Sequence, residues 1–179
     1  MEYRKIEPAA IAGNPFELIG KEWALVSAKK ADGTVNTMTV SWGSMGVLWG
    51  KNVVQIFLRP QRYTKEFVDE AGRFTLSFYG EGAKKELGYL GKVSGRDEDK
   101  IAKVGFTARD FDGAPAFDGA RLVLVCRSLY AQTLEPECFL PGNSCDKDCY
   151  PQKDYHTMYV AEIEAVYENC LLYTSDAAD

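Results

Sequence analysis

The segment from residue 36 to residue 64 constrains the fold of this chain more than any other part of the sequence. It begins with NTMTVSW, where larger apolar residues alternate with small hydroxylated ones. A period of two is typical of a half-buried β-strand, whose successive side chains point to opposite faces. The alternation is predicted to separate hydroxyl side chains from apolar ones, namely Thr37, Thr39 and Ser41 from Met38, Val40 and Trp42.

A second strand is predicted at residues 53–58, after a glycine-rich turn at residues 43–46 and then 50–52. It ends in RPQRYT, which supplies Arg59, Arg62 and Thr64. Arginine and hydroxyl groups are suited to binding phosphate, and the apolar face of the first strand could cover a flat ring. The alternative is that the arginines are solvated surface charges and the hydroxyls belong to an ordinary strand edge.

Three short segments resemble those of a known family. Residues 36–42 fit the pattern N-x-M-T-x-S-W, residues 59–64 fit R-P-x-R-Y-T, and residues 94–100 fit S-G-R-D-x-D-K. On these segments the chain resembles the flavin reductase-like family, the flavoredoxin-type FMN-binding split barrels. For residues 94–100 the alternative is a loop followed by a charged, well-capped helix.

The resemblance implies a mainly β fold, an antiparallel split barrel of about six strands with inserted helices. It also implies a homodimer that holds FMN in a groove at or near the subunit interface. The residues that it implies for cofactor binding are Asn36, Thr37, Met38, Thr39, Val40, Ser41, Trp42, Arg59, Arg62, Tyr63, Thr64, Ser94, Gly95, Asp97 and Lys100.

His156 is the one catalytic candidate, because it matches a family position near the flavin ring. It is the only histidine in the chain and therefore the only ordinary candidate for a proton shuttle near neutral pH. A structural role in a strand is the alternative. No protein nucleophile is expected, because a flavin would carry the reaction.

The rest of the chain is predicted to form further strands with helices between them. Besides the two strands above, we predict strands near residues 23–28, 74–79, 120–132 and 155–167. A helix is predicted at residues 64–71, with Thr64 as its N-cap. Two further helices are predicted at residues 81–90 and 97–104, the second with acidic residues in its first turn.

Length and charge limit the other possibilities. With 179 residues the chain suits one domain, which we place at residues 1–169. Residues 170–179 resemble the translation of a sequencing-library adapter and are expected to be a non-native tail that replaces the natural end.

The net charge of −5 argues against a nucleic-acid surface. Neither a membrane span nor a signal peptide is recognisable, so a cytoplasmic location is expected.

Five cysteines are present, and three of them lie close together in one polar segment. Cys138, Cys145 and Cys149 have the spacing C-x6-C-x3-C, which matches no common zinc pattern, so no metal site is predicted. We expect reduced thiols in a surface loop.

Three functions remain open from the sequence. The first is an NAD(P)H:flavin oxidoreductase that transfers hydride from a nicotinamide to FMN. The second is a flavoredoxin-like electron carrier that works with a redox protein partner and without direct nicotinamide turnover. The third is a barrel that holds another phosphorylated or haem-like ligand without turnover.

Overall fold

The computed structural model of the protein describes residues 2–170, and these form ten β-strands and four α-helices. The strands are β1 (Tyr3–Ile6), β2 (Ala24–Lys29), β3 (Val35–Val40), β4 (Gly43–Leu48), β5 (Lys51–Leu58), β6 (Arg73–Phe78), β7 (Ala108–Phe111), β8 (Ala114–Phe117), β9 (Leu122–Thr133) and β10 (Thr157–Asn169). The helices are α1 (Tyr63–Ala71), α2 (Lys84–Lys92), α3 (Lys100–Lys103) and α4 (Cys145–Cys149). A π-helical segment covers Phe16–Glu22.

Eight of the strands form one antiparallel sheet in the order β3-β2-β6-β9-β10-β5-β4, with β1 added beside β10. Strands β7 and β8 form a separate hairpin. The fold is therefore mainly β and antiparallel, as predicted. The strand count exceeds the expected six or so because of β1, β4, β7 and β8: β4 covers part of the predicted turn, and β1, β7 and β8 are only four residues long. Such short segments carry too little alternation to be recognised from the sequence.

The two edge strands of the large sheet, β3 and β4, are consecutive in the chain. Only Ser41 and Trp42 separate the last residue of β3 from the first residue of β4. The sheet must therefore curl round until its two edges almost meet, which makes a barrel that is split between β3 and β4. The split lies within the segment at residues 36–64 that dominated the sequence prediction, close to its N-terminal end.

The predicted glycine-rich turn had two parts: the part at residues 43–46 is wrong, because these residues are part of β4, whereas the part at residues 50–52 includes Gly50 of the actual turn. The chain reverses instead at Trp49 and Gly50, whose φ angles of 54° and 68° suit a two-residue hairpin turn. Gly43 serves a different purpose, since a Cβ atom there would lie 2.6 Å from the carbonyl oxygen of Gln55. Its missing side chain permits close strand pairing rather than a turn.

The predicted N-cap of the first helix is also wrong. Helix α1 begins at Tyr63, so Thr64 lies within its first turn, and Arg62 occupies the cap position without a side-chain cap. The hydroxyl of Thr64 accepts a hydrogen bond from the amide of Asn36 at 3.1 Å. Helix α3 is shorter than expected and begins after Asp99, whose Oδ1 accepts a 3.0 Å bond from the backbone of Ala102.

The barrel interior is filled by apolar side chains from all the long strands, including the fully buried Phe74, Phe78 and Leu124. Helix α2 packs on β3 from outside the barrel, where Thr39 donates a 2.5 Å hydrogen bond to the carbonyl of Leu87. Helix α1 packs on β2 and β3. Strand β3 therefore borders both helices, and the grooves along it are the candidates for a site.

The domain limits at residues 1–169 stay a prediction. Of the expected non-native tail, residues 171–179 lie outside the described residues.

Candidate functional site

A small cavity between β3, the start of α1 and residues 92–100 collects positively charged side chains. Its volume is about 130 Å³. We call it the cationic cavity, and its lining consists of Asn36, Met38, Gln61, Arg62, Tyr63, Thr64, Lys92, Val93, Ser94, Gly95 and Lys100. Eight of these eleven residues are among those predicted for cofactor binding, and they come from all three predicted segments.

Lys100 is the most buried charged group in this cavity, with 2% of its surface exposed. Its ammonium group donates to the carbonyl oxygens of Leu90 at 2.8 Å and Val93 at 2.9 Å. Burial, together with the charge of Arg62, lowers the pKa of Lys100 from 10.5 to about 8. None of the ion pairs found within residues 2–170 includes Lys100.

Arg62 is the second cation of the cavity. Its Nη2 donates to the carbonyl oxygen of Gly91 at 2.6 Å, and burial lowers the pKa of the guanidinium below its usual range. In the described part of the chain no carboxylate pairs with it either. One buried and one half-buried cation share this cavity, and within residues 2–170 no carboxylate compensates them, which is costly unless an anion joins them. The cavity therefore has the donor set of an anion site.

The backbone around Gly95 completes the wall of the cationic cavity. A Cβ atom at Gly95 would lie 2.4 Å from Oδ1 of Asn36, so only glycine lets these two segments meet. Asn36 itself is 3% exposed and is held by its bond to Thr64. Amide, hydroxyl and backbone groups thus surround the two cations, and this set suits a phosphate monoester with several acceptor oxygens.

A second cavity, of about 260 Å³, lies further along β3 and has aromatic walls. We call it the ring cavity, and its lining consists of Met38, Thr39, Val40, Ser41, Trp42, Phe57, Arg59 and His156. Met38 borders both cavities. From Asn36 to Ser41 the strand advances by about 16 Å, at about 3.3 Å per residue. The two cavities lie one after the other along β3 and share Met38, an arrangement that suits an elongated ligand with an anionic end and a flat end.

The aromatic wall of the ring cavity is made by Trp42, His156 and Phe57. The ring centroids of Trp42 and His156 are 5.1 Å apart, and those of Phe57 and His156 are 6.5 Å apart. Trp42 is 46% exposed, so one face of the wall is open to solvent. Such an arrangement can hold a flat apolar ring while leaving part of it accessible.

His156 is not suited to the predicted proton transfer near neutral pH. Burial, and secondarily the charge of Arg59, lowers the pKa of His156 to about 4, against a smaller opposing effect of Asp154. Its Nδ1 lies 2.9 Å from the hydroxyl oxygen of Tyr150. The imidazole is therefore neutral at pH 7, where it packs on Trp42 and bonds to a phenol.

The two predicted phosphate arginines lie in different cavities. Arg59 borders the ring cavity, where it forms a 2.5 Å ion pair with Asp154 and donates to the carbonyl of Cys149 at 2.9 Å. Its charge is already compensated, whereas that of Arg62 is not. The sequence pattern could not separate them, because Asp154 lies 95 residues away from Arg59 in the chain.

Two other predicted residues line neither cavity. Thr37 is completely buried, and its hydroxyl bonds to Ser27 at 2.8 Å and to the carbonyl of Val26 at 3.0 Å. Asp97 is exposed on the loop before α3, and its backbone N–H donates to the carbonyl of Ser94 at 3.2 Å.

Four lining residues were not among those predicted from the sequence, namely Phe57, Gln61, Lys92 and Val93. Gln61 lies inside the R-P-x-R-Y-T turn, so its position between two predicted site residues could have identified it as a lining residue. Phe57 was read only as a strand residue, and Lys92 and Val93 only as loop residues.

Within residues 2–170 no group of three or more histidine, cysteine, aspartate or glutamate side chains is arranged to hold a metal ion. The five thiols are free. None of the helices in this part of the chain has the length and apolar character needed to cross a bilayer.

Fold and site together define a split β-barrel with an anion cavity and an aromatic cavity along one edge strand. A protein-family model described as the flavin reductase like domain matches residues 17–177, and the chain belongs to this family. The family supports a flavin-binding function. Among curated proteins, no significant match was found.

Solved structures with similar folds come from several organisms. Flavoredoxin from Methanosarcina acetivorans is 26% identical, with a TM-score of 0.64 over 83% of this chain and 69% of that chain. The flavin reductase of styrene monooxygenase from Pseudomonas putida is 21% identical, with a TM-score of 0.61 over 83% of this chain and 80% of that one. An FMN-binding domain of a flavin reductase-like enzyme from Shewanella baltica is 19% identical, with a TM-score of 0.67 over 93% and 77%. These folds confirm the predicted split barrel.

Proposed function

We propose that the chain binds FMN along β3 and acts as an NAD(P)H-dependent flavin oxidoreductase. One observation supports the proposal most strongly: Arg62 and Lys100 lie together in one cavity, and this cavity adjoins a second cavity with aromatic walls. When bound, FMN supplies the redox chemistry, accepting a hydride and passing electrons on. The chain supplies binding, orientation and a defined electrostatic environment.

In this proposal the residues of the cationic cavity hold the phosphate. Arg62 and Lys100 provide its charge partners, and Ser94, Thr64 and the Gly95 backbone provide neutral contacts. Each cation gains a partner that it lacks in the ligand-free protein, so the cost of burying it is recovered on binding. Phosphate contacts of this kind orient the rest of the ligand toward the ring cavity.

In the ring cavity, Trp42 and Met38 cover the flat ring, and Thr39 and Ser41 lie near its polar edge. His156 acts as a neutral packing and hydrogen-bonding group. Arg59, fixed by Asp154, keeps a positive charge beside the ring, which favours negative charge developing there. Since Trp42 and Ser41 are exposed, a nicotinamide can approach the open side of the cavity.

A flavoredoxin-like electron carrier is the second candidate. It is favoured by the likeness to the flavoredoxin from Methanosarcina acetivorans, which at 26% identity is the most similar in sequence of those described above. The net charge of −5 would suit docking to a basic redox protein. A cytoplasmic location remains part of the proposal for either function.

The test is the visible absorption spectrum of the protein with FMN, recorded anaerobically before and after NADH or NADPH is added. Bleaching of a protein-bound flavin spectrum by either nucleotide supports the oxidoreductase. A bound flavin that stays oxidised with both nucleotides, yet is reduced by dithionite, supports the electron carrier. A protein that does not retain FMN contradicts both.

Arg62→Ala tests the phosphate site directly. We expect FMN affinity to fall by about 1.5–3 kcal/mol, or roughly 10- to 150-fold, because a charge-assisted hydrogen bond is lost. Fluorescence titration of FMN measures the change. Arg127→Ala is the matched control, since Arg127 lies on β9 and pairs with Glu162 and Glu164 away from both cavities. Equal affinities in the two variants would place the phosphate elsewhere.

We also propose that the chain forms a homodimer through an exposed apolar face at the barrel split. Phe16 is 83% exposed and Val47 is 74% exposed. Each lines a cavity that also includes Pro15 and Met45, so the exposed side chains belong to one continuous surface. Large exposed apolar surfaces are typical of protein interfaces.

A further inference from the structure

Helix α4 carries two cysteines one helical turn apart. We propose that Cys145 and Cys149 form a redox-active dithiol, whose oxidation to a disulfide alters the ring cavity. Neither thiol takes part in the flavin site, and neither is buried: Cys145 is exposed and Cys149 is partly exposed. The dithiol itself does not depend on the proposed function, but its effect on FMN binding does.

The spacing of the two cysteines brings their sulfur atoms to the same side of the helix. Residues four apart in a helix face the same way, with about 5–6 Å between their Cβ atoms. A disulfide needs a Cβ separation of about 3.5–4.5 Å. The pair is therefore near bonding distance, and the remaining approach requires the turn to open.

Little resists that opening. Helix α4 consists of five residues, and none of them is buried. Besides the bonds within the helix, its ends are held by two backbone hydrogen bonds of 2.9 Å, from Asp148 to Ser144 and from Tyr150 to Asp146, and the Tyr155 hydroxyl donates to Oδ1 of Asp146 at 2.7 Å. An isolated turn of this length has little stability of its own, so a disulfide can replace it.

The end of α4 is connected directly to the ring cavity. Arg59, which lines that cavity, donates to the carbonyl oxygen of Cys149 at 2.9 Å. The next residue, Tyr150, is 5% exposed and its hydroxyl lies 2.9 Å from Nδ1 of His156. His156 in turn contacts Trp42. Movement of Cys149 therefore changes contacts on both sides of the cavity.

The oxidant is a small-molecule disulfide, such as oxidised glutathione. The exposed Cys145 loses its proton to solvent and attacks one sulfur of the oxidant, which releases the first thiol. Cys149 then loses its proton and attacks the mixed disulfide at Cys145, which releases the second thiol. Two protein thiols are oxidised and one small-molecule disulfide is reduced to two thiols, so atoms and electrons balance.

The experiment uses the full chain without FMN, treated with oxidised glutathione, alkylated and digested with trypsin. Cleavage after Lys147 places Cys138 and Cys145 in peptide 128–147 and Cys149 in peptide 148–153. We expect these peptides to be disulfide-linked in the wild type and in Cys138→Ser, and unlinked in Cys145→Ser and Cys149→Ser. Glutathione adducts without a link, or a bond between Cys138 and Cys145, would overturn the proposal.

The coupling to the ring cavity is measured on the same samples. Oxidation is expected to change the tryptophan fluorescence of the wild type and of Cys138→Ser, but not of Trp42→Phe or Cys145→Ser. A protein that forms the Cys145–Cys149 disulfide with unchanged tryptophan fluorescence would contradict the coupling between the dithiol and the ring cavity. FMN titration should show binding at least threefold weaker after oxidation, reversed by dithiothreitol. If the protein binds no FMN at all, the proposed function fails while the peptide and fluorescence results still decide the dithiol.

Discussion

At the scale of single residues, Lys100 shows how a buried charge can prepare an anion site. Within residues 2–170 its ammonium group bonds only to carbonyl oxygens, and its pKa of about 8 places it near the point of losing its proton. A phosphate monoester is a dianion above pH 7, because its second pKa is about 6. It would favour the protonated form of Lys100, so binding and protonation should be linked.

We therefore expect FMN affinity to be nearly constant from pH 7 to 8 and to fall above pH 8. Above its pKa the free protein must take up a proton to bind phosphate, which weakens apparent affinity by up to about tenfold per pH unit. Fluorescence titrations at several pH values between 7 and 9.5 measure the slope.

Two substitutions in the same cavity identify the titrating group. Lys100→Gln should bind weakly and without this slope, because it has no titrating amine. Lys92→Gln, which removes an exposed amine of the same cavity, should keep the slope. A wild-type affinity that does not change between pH 7 and 9.5 would exclude Lys100 as a phosphate ligand.

At the scale of elements, the site depends on how closely the loop before α3 approaches β3. Gly95 lies so close to Asn36 that a Cβ atom on residue 95 would overlap the side-chain amide oxygen of Asn36. Asn36 has little freedom to move, since it is buried and bonded to Thr64 on α1. Three elements are thus held in register at the cationic cavity by one glycine.

Gly95→Ala is expected to lower FMN affinity at least tenfold and to destabilise the fold by about 1–3 kcal/mol, the usual cost of overpacking. Affinity is measured by fluorescence titration and stability by urea unfolding. Gly88→Ala on α2 is the control, because a Cβ atom there meets nothing within 4 Å and alanine favours a helix. Wild-type affinity in Gly95→Ala would show that this contact does not shape the site.

At the scale of the whole molecule, the split of the barrel leaves apolar surface beside the ring cavity. A cavity of about 480 Å³ lies on the other side of Trp42, lined mainly by apolar groups that include Phe16, Ile19 and Met45. Trp42 and Ser41 border both cavities. A partner subunit that covers this surface would therefore come close to the flavin site.

Sedimentation velocity should show a dimer for the wild type and a monomer for the double variant Phe16→Asp, Val47→Asp. Charges at two exposed apolar positions oppose burial of that face while leaving the core unchanged. Leu140→Asp is the control, because Leu140 is 76% exposed in the cysteine-bearing segment and lines neither apolar cavity. A monomeric wild type, or a dimer that survives the double variant, would contradict the proposed interface.

The local sequence pattern was sufficient to predict the long strands and most of the residues that line the cationic cavity. Strands β3, β5, β6, β9 and β10 carry alternating or strongly β-forming residues, whose period depends only on neighbours in the chain. The segments around Asn36, Arg62 and Gly95 were recognised by their resemblance to the family, and the fold brings all three together.

The tertiary structure decided what depends on distant residues. Arg59 and Arg62 look alike in the sequence, but only the fold places Asp154 beside the first, while none of the carboxylates in the described part of the chain pairs with the second. His156 looks like a neutral-pH titrating group until burial lowers its pKa to about 4. Thr37 and Thr39 share a strand face in the sequence pattern, yet one bonds inside the sheet and the other borders the ring cavity. Charge compensation and burial are set by residues far away in the chain, so no local pattern can specify them.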